Sequence, residues 1–182
     1  MSYKIGIAGC AGTGKSSLAR AIAEKLGIPL LESKAITRDI LERDGYDYAS
    51  GTQVERFLAS TGRQNEILRR TLEQQQVAEF ITDRTLVDLA AYVVCEMHDK
   101  DTKTLGHILE TCRKHVEEYT HIFLCPWEDK PVDENQRRTL NPWYQFLIYT
   151  IEVGILKEWG CQYKVIDPAG DRAAQVMGCL QQ

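Results

Sequence analysis

The chain has 182 residues, of which 43% are hydrophobic and 26% charged, with a formal net charge of −4. Those values suit one folded domain with a full hydrophobic core and argue against a disordered chain. The acidic balance argues against a surface that tracks nucleic acid along its whole extent, although a local basic groove stays open.

No apolar run approaches the ~20 residues of a membrane-spanning helix, so no membrane partner is expected. The opening Met1-Ser2-Tyr3-Lys4 leads straight into a strand pattern, with no signal-peptide profile. Six cysteines, at 10, 95, 112, 125, 161 and 179, include no C-x-x-C pair and read as reduced, mostly buried thiols. Together these set a cytoplasmic expectation. The four histidines show no metal-ligand spacing.

Residues 3–8 read as a short buried strand, and residues 15–26 as a helix with Leu18, Ile22 and Leu26 four apart. Between them, Gly9, Gly14, Lys15 and Ser16 fill the fixed positions of the phosphate-binding pattern G-x-x-x-x-G-K-S/T. Backbone N–H groups must come close to a polyphosphate, and side chains would obstruct that wrap, so glycines recur at Gly9, Gly12 and Gly14. The expected nucleotide-binding set is Gly9, Ala11, Gly12, Thr13, Gly14, Lys15, Ser16 and Ser17. Lys15 would reach the β- and γ-phosphates of ATP, Ser16 would hold Mg²⁺, and the helix would aim its positive end at the same anions. Cys10 lies in this loop, where either oxidation sensitivity or a tolerated variable position fits.

Gly27 and Pro29 end the helix, and residues 28–31 read as a second strand. Glu32 follows at its carboxyl end, the edge where open α/β sheets bind ligands. Two roles fit Glu32: a base or sugar ligand for a substrate hydroxyl, or a charge at a helix start capped by Ser33. Residues 34–43 look helical, and residues 44–51 read as an exposed loop whose Tyr46 or Tyr48 either stacks on a base or pins the loop. Residues 53–77 read as a long helix with Val54, Phe57, Leu58, Ile67, Leu68 and Leu72 on its apolar side, divided at Gly62. Arg63 and Gln64 beside that division are substrate-contact candidates, with a solvated helix face as the ordinary reading of each.

Residues 78–82 form the third strand pattern and deliver Asp83-Arg84 at its end. An aspartate there faces the phosphate loop and suits Mg²⁺ or its water shell, while Arg84 can grip a phosphoryl group with two N–H donors; a surface Asp-Arg pair capping the next helix is the alternative. Thr85 and Asp88 have the spacing of a capping box for a helix over 85–98. A helix containing Leu105, Ile108, Leu109, Cys112 and Val116 follows, then a fourth strand over 120–125. Residues 126–142 are polar and proline-punctuated and carry Arg137-Arg138. A mobile segment with arginines suits a lid that brings a late cation to transition-state charge and excludes water; a solvated connection is the alternative. A helix over 142–159 begins at Asn141-Pro142, a fifth strand spans 162–166, and a short helix closes residues 171–180.

This alternation resembles the P-loop kinase group of nucleoside and nucleotide kinases over nearly the whole chain. Thr82-Asp83-Arg84-Thr85-Leu86-Val87-Asp88-Leu89-Ala90-Ala91-Tyr92 is similar to the thymidylate-kinase stretch D-R-Y-x-x-S-x-x-A-Y, departing from it at Thr85 and Asp88. A closer likeness is to the small ATPase/kinase family that includes the bacterial ribosylnicotinamide kinase domain and phage nucleotide kinases. Its members have a Glu after the second strand, a D-R after the third and an arginine-bearing lid after the fourth. Glu32, Asp83-Arg84 and Arg137-Arg138 occupy those places here.

The resemblance implies a three-layer α/β sandwich around a five-stranded parallel sheet in the order 2-3-1-4-5. It implies one domain over residues 1–182, with a substrate-side loop near 44–64 and a lid near 126–140. The implied reaction moves the γ-phosphoryl of ATP to a nucleoside or nucleoside monophosphate, with Mg²⁺. Lys15, Asp83, Arg84, Glu32 and one of Arg137 and Arg138 would be catalytic, with either Glu32 or Asp83 as the base, and Ser16 and Asp83 would hold the metal. Kinases of this group often form homodimers. Phage kinases that phosphorylate 5-hydroxymethyluracil in DNA also look like this group, so DNA is an alternative acceptor. A regulatory ATPase with a protein partner is a reading of a different class.

Overall fold

The computed structural model describes residues 2–46, 60–97, 102–128 and 141–181. In chain order the elements are β1 (Lys4–Ala8), α1 (Lys15–Leu26), β2 (Leu30–Leu31), α2 (Ser33–Arg43), α3 (Thr61–Gln74), β3 (Phe80–Thr82), α4 (Leu86–Met97), α5 (Thr102–Val116), β4 (His121–Leu124), α6 (Pro142–Glu158), β5 (Lys164–Val165) and α7 (Arg172–Leu180). The strands form one parallel sheet ordered β2-β3-β1-β4-β5. This is the P-loop kinase fold, in the strand order the resemblance implies.

Side-chain alternation along the strands builds a core on each face. Ile5, Ile7, Ile81 and Phe123 pack with Leu18, Ile22, Val176 and Leu180 from α1 and α7. Ala8, Phe80, Ile122 and Leu124 pack on the other face with Leu68, Val87, Val93, Ile108 and Leu156 from α3, α4, α5 and α6. Each fully buried aliphatic side chain of this kind contributes about 1.5–3 kcal/mol. β1 sits in the middle, paired with β3 through Ile5↔Ile81 and with β4 through Ile5↔His121. Its carboxyl end, where the phosphate loop begins, is therefore the centre of the sheet's carboxyl edge.

The helix ends follow local chemistry. Gly27 takes a left-handed conformation, φ 67°, and its N–H bonds to Ala23 O to close α1. Asn141 caps α6 by accepting from the Trp143 N–H, with Pro142 as first helical residue, and Asp171 caps α7 by accepting from the Ala174 N–H.

Several boundaries differ from the sequence expectation. β2 and β5 are shorter than their apolar patterns because each is an edge strand paired on one side. Ser33 is the first residue of α2 and not its cap, since its N–H is turned to Asp83 and its hydroxyl to Thr82. The helix expected over 53–77 is described from Thr61, with Ser60 at the cap position, so Gly62 falls in its first turn. Val54, Phe57, Leu58 and Tyr48 lie outside the described residues, as do Arg137, Arg138 and most of the lid near 126–140.

Candidate active site

Gly9, Gly12 and Gly14 hold φ values of 135°, 85° and 81°, a region that side chains resist. At Gly9 space is also decisive: a Cβ there would lie 2.5 Å from the Cys125 carbonyl oxygen. The loop thus presses its backbone against the end of β4 while turning into α1. Thr13 ties the loop internally, its hydroxyl donating to Cys10 O at 2.9 Å. Lys15 is buried, and its Nζ donates to the carbonyls of Gly9 and, at 2.6 Å, Cys10. α1 has neither a side-chain cap nor an acidic residue in its first turn, so its positive end faces the loop uncompensated.

Asp83 stands beside this loop at the end of β3, 2% exposed. Its Oδ2 accepts from the Ser16 hydroxyl at 2.5 Å, and its Oδ1 from the Ser33 N–H at 3.3 Å. A hydroxyl and a carboxylate held together are hard oxygen donors that suit Mg²⁺, with water and phosphate oxygens completing its shell. Among the described residues no group of three or more His, Cys, Asp or Glu converges as a metal cage.

Beyond Asp83 lies a narrow cleft. Ser33, Thr37, Gln64, Thr71, Arg84 and Thr85 give it polar groups, and Ile67, Leu89 and Tyr92 give it apolar walls. Gln64 is fully buried in this wall, so the solvated reading of that helix face does not hold for it. Arg84 lies 5.1 Å from the Tyr92 ring centroid, which aims its guanidinium along the cleft. Thr85 and Asp88 do form the capping box: the Thr85 N–H and hydroxyl both donate to Asp88 Oδ2, at 2.8 and 2.7 Å.

Other expected residues have surface roles. The Glu32 carboxylate pairs with Arg20 at 2.9 Å, both half-exposed. Arg63 binds Asp44 at 2.8 Å and covers the Tyr46 ring at 4.5 Å, so Tyr46 is pinned to α3. Burial pushes the Cys10 thiol up to about 12, which removes the thiolate that oxidation needs.

Sequence reasoning missed Arg172 and Glu152, and gave Asp88 its capping role alone. Arg172, at the start of α7, donates to Thr13 O of the loop at 2.6 Å and to Glu128 at 3.0 Å. It braces the phosphate loop against the segment after β4, across a sequence separation with no local signal. Asp88 and Glu152 are fully buried, and Asp88 Oδ1 lies 3.9 Å from Lys15 Nζ. Glu152 had a legible signal: it falls on the buried stripe of α6 with Gln145, Ile148 and Leu156.

A phosphate loop at the centre of a parallel sheet, with a hydroxyl–carboxylate pair and a cleft beside it, defines a nucleotide-binding P-loop domain of kinase fold. The chain belongs to the AAA_28 family of AAA domains, whose profile matches residues 4–174. No curated protein matches the sequence. Among solved structures, a NadR protein in complex with NR is similar with TM-score 0.74 and 15% identity, over 99% of this chain and 51% of that one. The present chain thus spans about half the length of that protein. Deoxyadenosine kinase from M. mycoides with bound dATP matches with TM-score 0.65 and 16% identity, over 99% of this chain and 100% of that one. Shikimate kinase from Acinetobacter baumannii in complex with shikimate matches with TM-score 0.62 and 15% identity, over 100% and 92%. At these identities the likeness shows the shared fold. No described helix is long and apolar enough to cross a membrane.

Proposed function

We propose that the protein is a kinase that moves the γ-phosphoryl of ATP to a hydroxyl of a small nucleoside or nucleoside monophosphate. The observation that carries this reading is the Ser16–Asp83 contact, with Asp83 also bonded to Ser33 of a cleft lined by polar and apolar side chains. Phosphoryl transfer asks mainly for positioning and charge stabilisation, and each part has a residue here. The loop amides and Lys15 bind the phosphates. Ser16 and Asp83 are the residues that would hold Mg²⁺, which supplies charge neutralisation across the β- and γ-phosphates.

The acceptor occupies the cleft, its flat ring against Tyr92 and Leu89 and its polar edge toward Gln64. Arg84 lies between cleft and loop and steadies the transferring group, joined by Arg137 or Arg138. Glu32 orients and deprotonates the acceptor hydroxyl. Asp83 is engaged by Ser16 and Ser33, whereas Glu32 adjoins the cleft residue Ser33 and is held by an exposed ion pair that costs little to exchange. The solved neighbours named for kinase activity on a nucleoside and on shikimate support small-molecule phosphorylation on this fold.

Transfer itself is the test. Label from the γ-position of ATP must appear on a nucleoside or nucleoside monophosphate. Label released only as inorganic phosphate would favour the regulatory ATPase instead. A DNA acceptor has one specific support, the 72% exposed Trp143 available for base stacking, and it predicts label on modified DNA alone.

A further inference from the structure

Beneath the phosphate loop lies a buried charge cluster that phosphoryl transfer does not require. Asp88 on α4 and Glu152 on α6 are both 0% exposed, and their carboxyls lie against one another. Among the described residues no N–H or O–H donor reaches Glu152 Oε1, Glu152 Oε2 or Asp88 Oδ1. Asp88 Oδ2, by contrast, accepts from the Thr85 N–H and hydroxyl. The cation acting most strongly on Asp88 is Lys15, its Nζ 3.9 Å from Asp88 Oδ1, with Arg84 a weaker second.

Two ionised carboxylates side by side in a dry interior, with one ammonium between them and the loop, would leave net negative charge without solvation. A single proton on the pair removes that excess. The hydrogen bonds decide where it sits: Asp88 has donors for its ionised form and Glu152 has none. Glu152 therefore carries the proton and offers it to Asp88 Oδ1.

We propose that Asp88 and Glu152 are a proton-sharing carboxyl pair that positions Lys15, so that drawing Lys15 onto a nucleotide's phosphates is coupled to proton uptake by the pair. The inference rests on the nucleotide-binding reading above. As the ammonium moves toward a phosphate it moves away from Asp88. The pair then loses its counter-charge and takes up a further proton from solvent. Burial pushes both carboxyls up, the Asp88 charge pushes Glu152 up further, and Lys15 and Arg84 are the charges that pull them down.

The remaining groups facing the cluster stay neutral. Burial raises the Cys10 thiol of the loop and the Cys125 thiol after β4. It also raises the phenols of Tyr119 before β4 and Tyr149 on α6, and the Cys112 thiol of α5 that faces Tyr119. A bound state that holds more protons is favoured at low pH, so nucleotide affinity falls as pH rises.

Titration calorimetry with Mg·AMP-PNP, in buffers of different ionisation enthalpy between pH 6 and 8, tests the coupling. Wild type should take up more protons per nucleotide than the double variant Asp88→Asn/Glu152→Gln, which has no carboxyl left in the pair to protonate, by an amount approaching about one proton. The phosphates' own protonation cancels in that difference. Equal proton counts in the two proteins would overturn the proposal while leaving nucleotide binding standing. No binding heat in wild type would overturn both. The infrared spectrum of wild type alone gives a second readout, independent of whether the variant folds. Nucleotide should add a protonated-carboxyl band that shifts in D₂O, and an unchanged carboxyl region would contradict the pair's role.

Discussion

The Lys15 ammonium donates to the carbonyls of Gly9 and Cys10 and faces Asp88, so one side chain joins the loop to the buried pair below it. Lys15→Ala should reduce phosphoryl transfer to background while leaving the thermal unfolding transition cooperative; activity retained in that variant would contradict the assignment. At the cleft, Glu32→Gln removes the proposed base and leaves the phosphate loop intact. It should lower kcat about 10²–10⁴-fold with little change in ATP affinity. Asp83→Asn, in contrast, should raise the Mg²⁺ concentration needed for half-maximal activity, because the hydroxyl–carboxylate pair with Ser16 is lost. If the two variants showed the same phenotype, the division of roles between base and metal ligand would be wrong. Acceptor titrations and Mg²⁺ titrations separate them.

At the scale of elements, the loop's shape depends on the strand next to it. Gly9→Ala would force a Cβ to within 2.5 Å of the Cys125 carbonyl at a φ of 135°. It should cost on the order of 1–3 kcal/mol of stability, read by denaturant unfolding, and should also impair nucleotide binding. The start of α4 is the second sensitive joint. The Thr85 hydroxyl accepts from the Val87 N–H at 3.1 Å, and the same hydroxyl donates to Asp88. Thr85→Ala should cost about 1–2 kcal/mol, toward the high end because the cap is buried.

At the scale of the whole molecule, buried acids oppose the stability of the fold as pH rises. Glu152 binds its proton more tightly folded than unfolded, because burial and the Asp88 charge raise it well above the usual carboxylate range. The native state then holds more protons than the unfolded state, so this group's contribution is fully present below the unfolded pKa and is lost as pH rises toward the folded one. Wild type should therefore lose stability relative to Glu152→Gln above about pH 4.5, the range in which an unfolded glutamate ionises. Parallel unfolding curves across pH for the two proteins would contradict this.

Most of the fold was legible because it is local. Short apolar runs marked β1, β3 and β4, and glycines, capping residues and Asn141-Pro142 marked the helix ends. The motif placed Lys15 and Ser16, and the strand end placed Asp83. What escaped is what the chain brings together from a distance. Arg172 reaches Thr13 from the far end of the sequence. Glu152 finds Asp88 only when α6 packs on α4, and Gln64 turns inward only because α3 closes a cleft. Edge strands were overextended for the same reason, since pairing and not local pattern decides where they stop.

The most direct test of the kinase reading is an acceptor screen. Purified protein is given Mg·ATP and a panel of nucleosides, nucleoside monophosphates, ribosylnicotinamide and hydroxymethyluracil-containing DNA, with ADP release as the readout. The account predicts strong stimulation by one small nucleoside or nucleotide, abolished in Lys15→Ala. Slow ADP release that no member of the panel alters would contradict it.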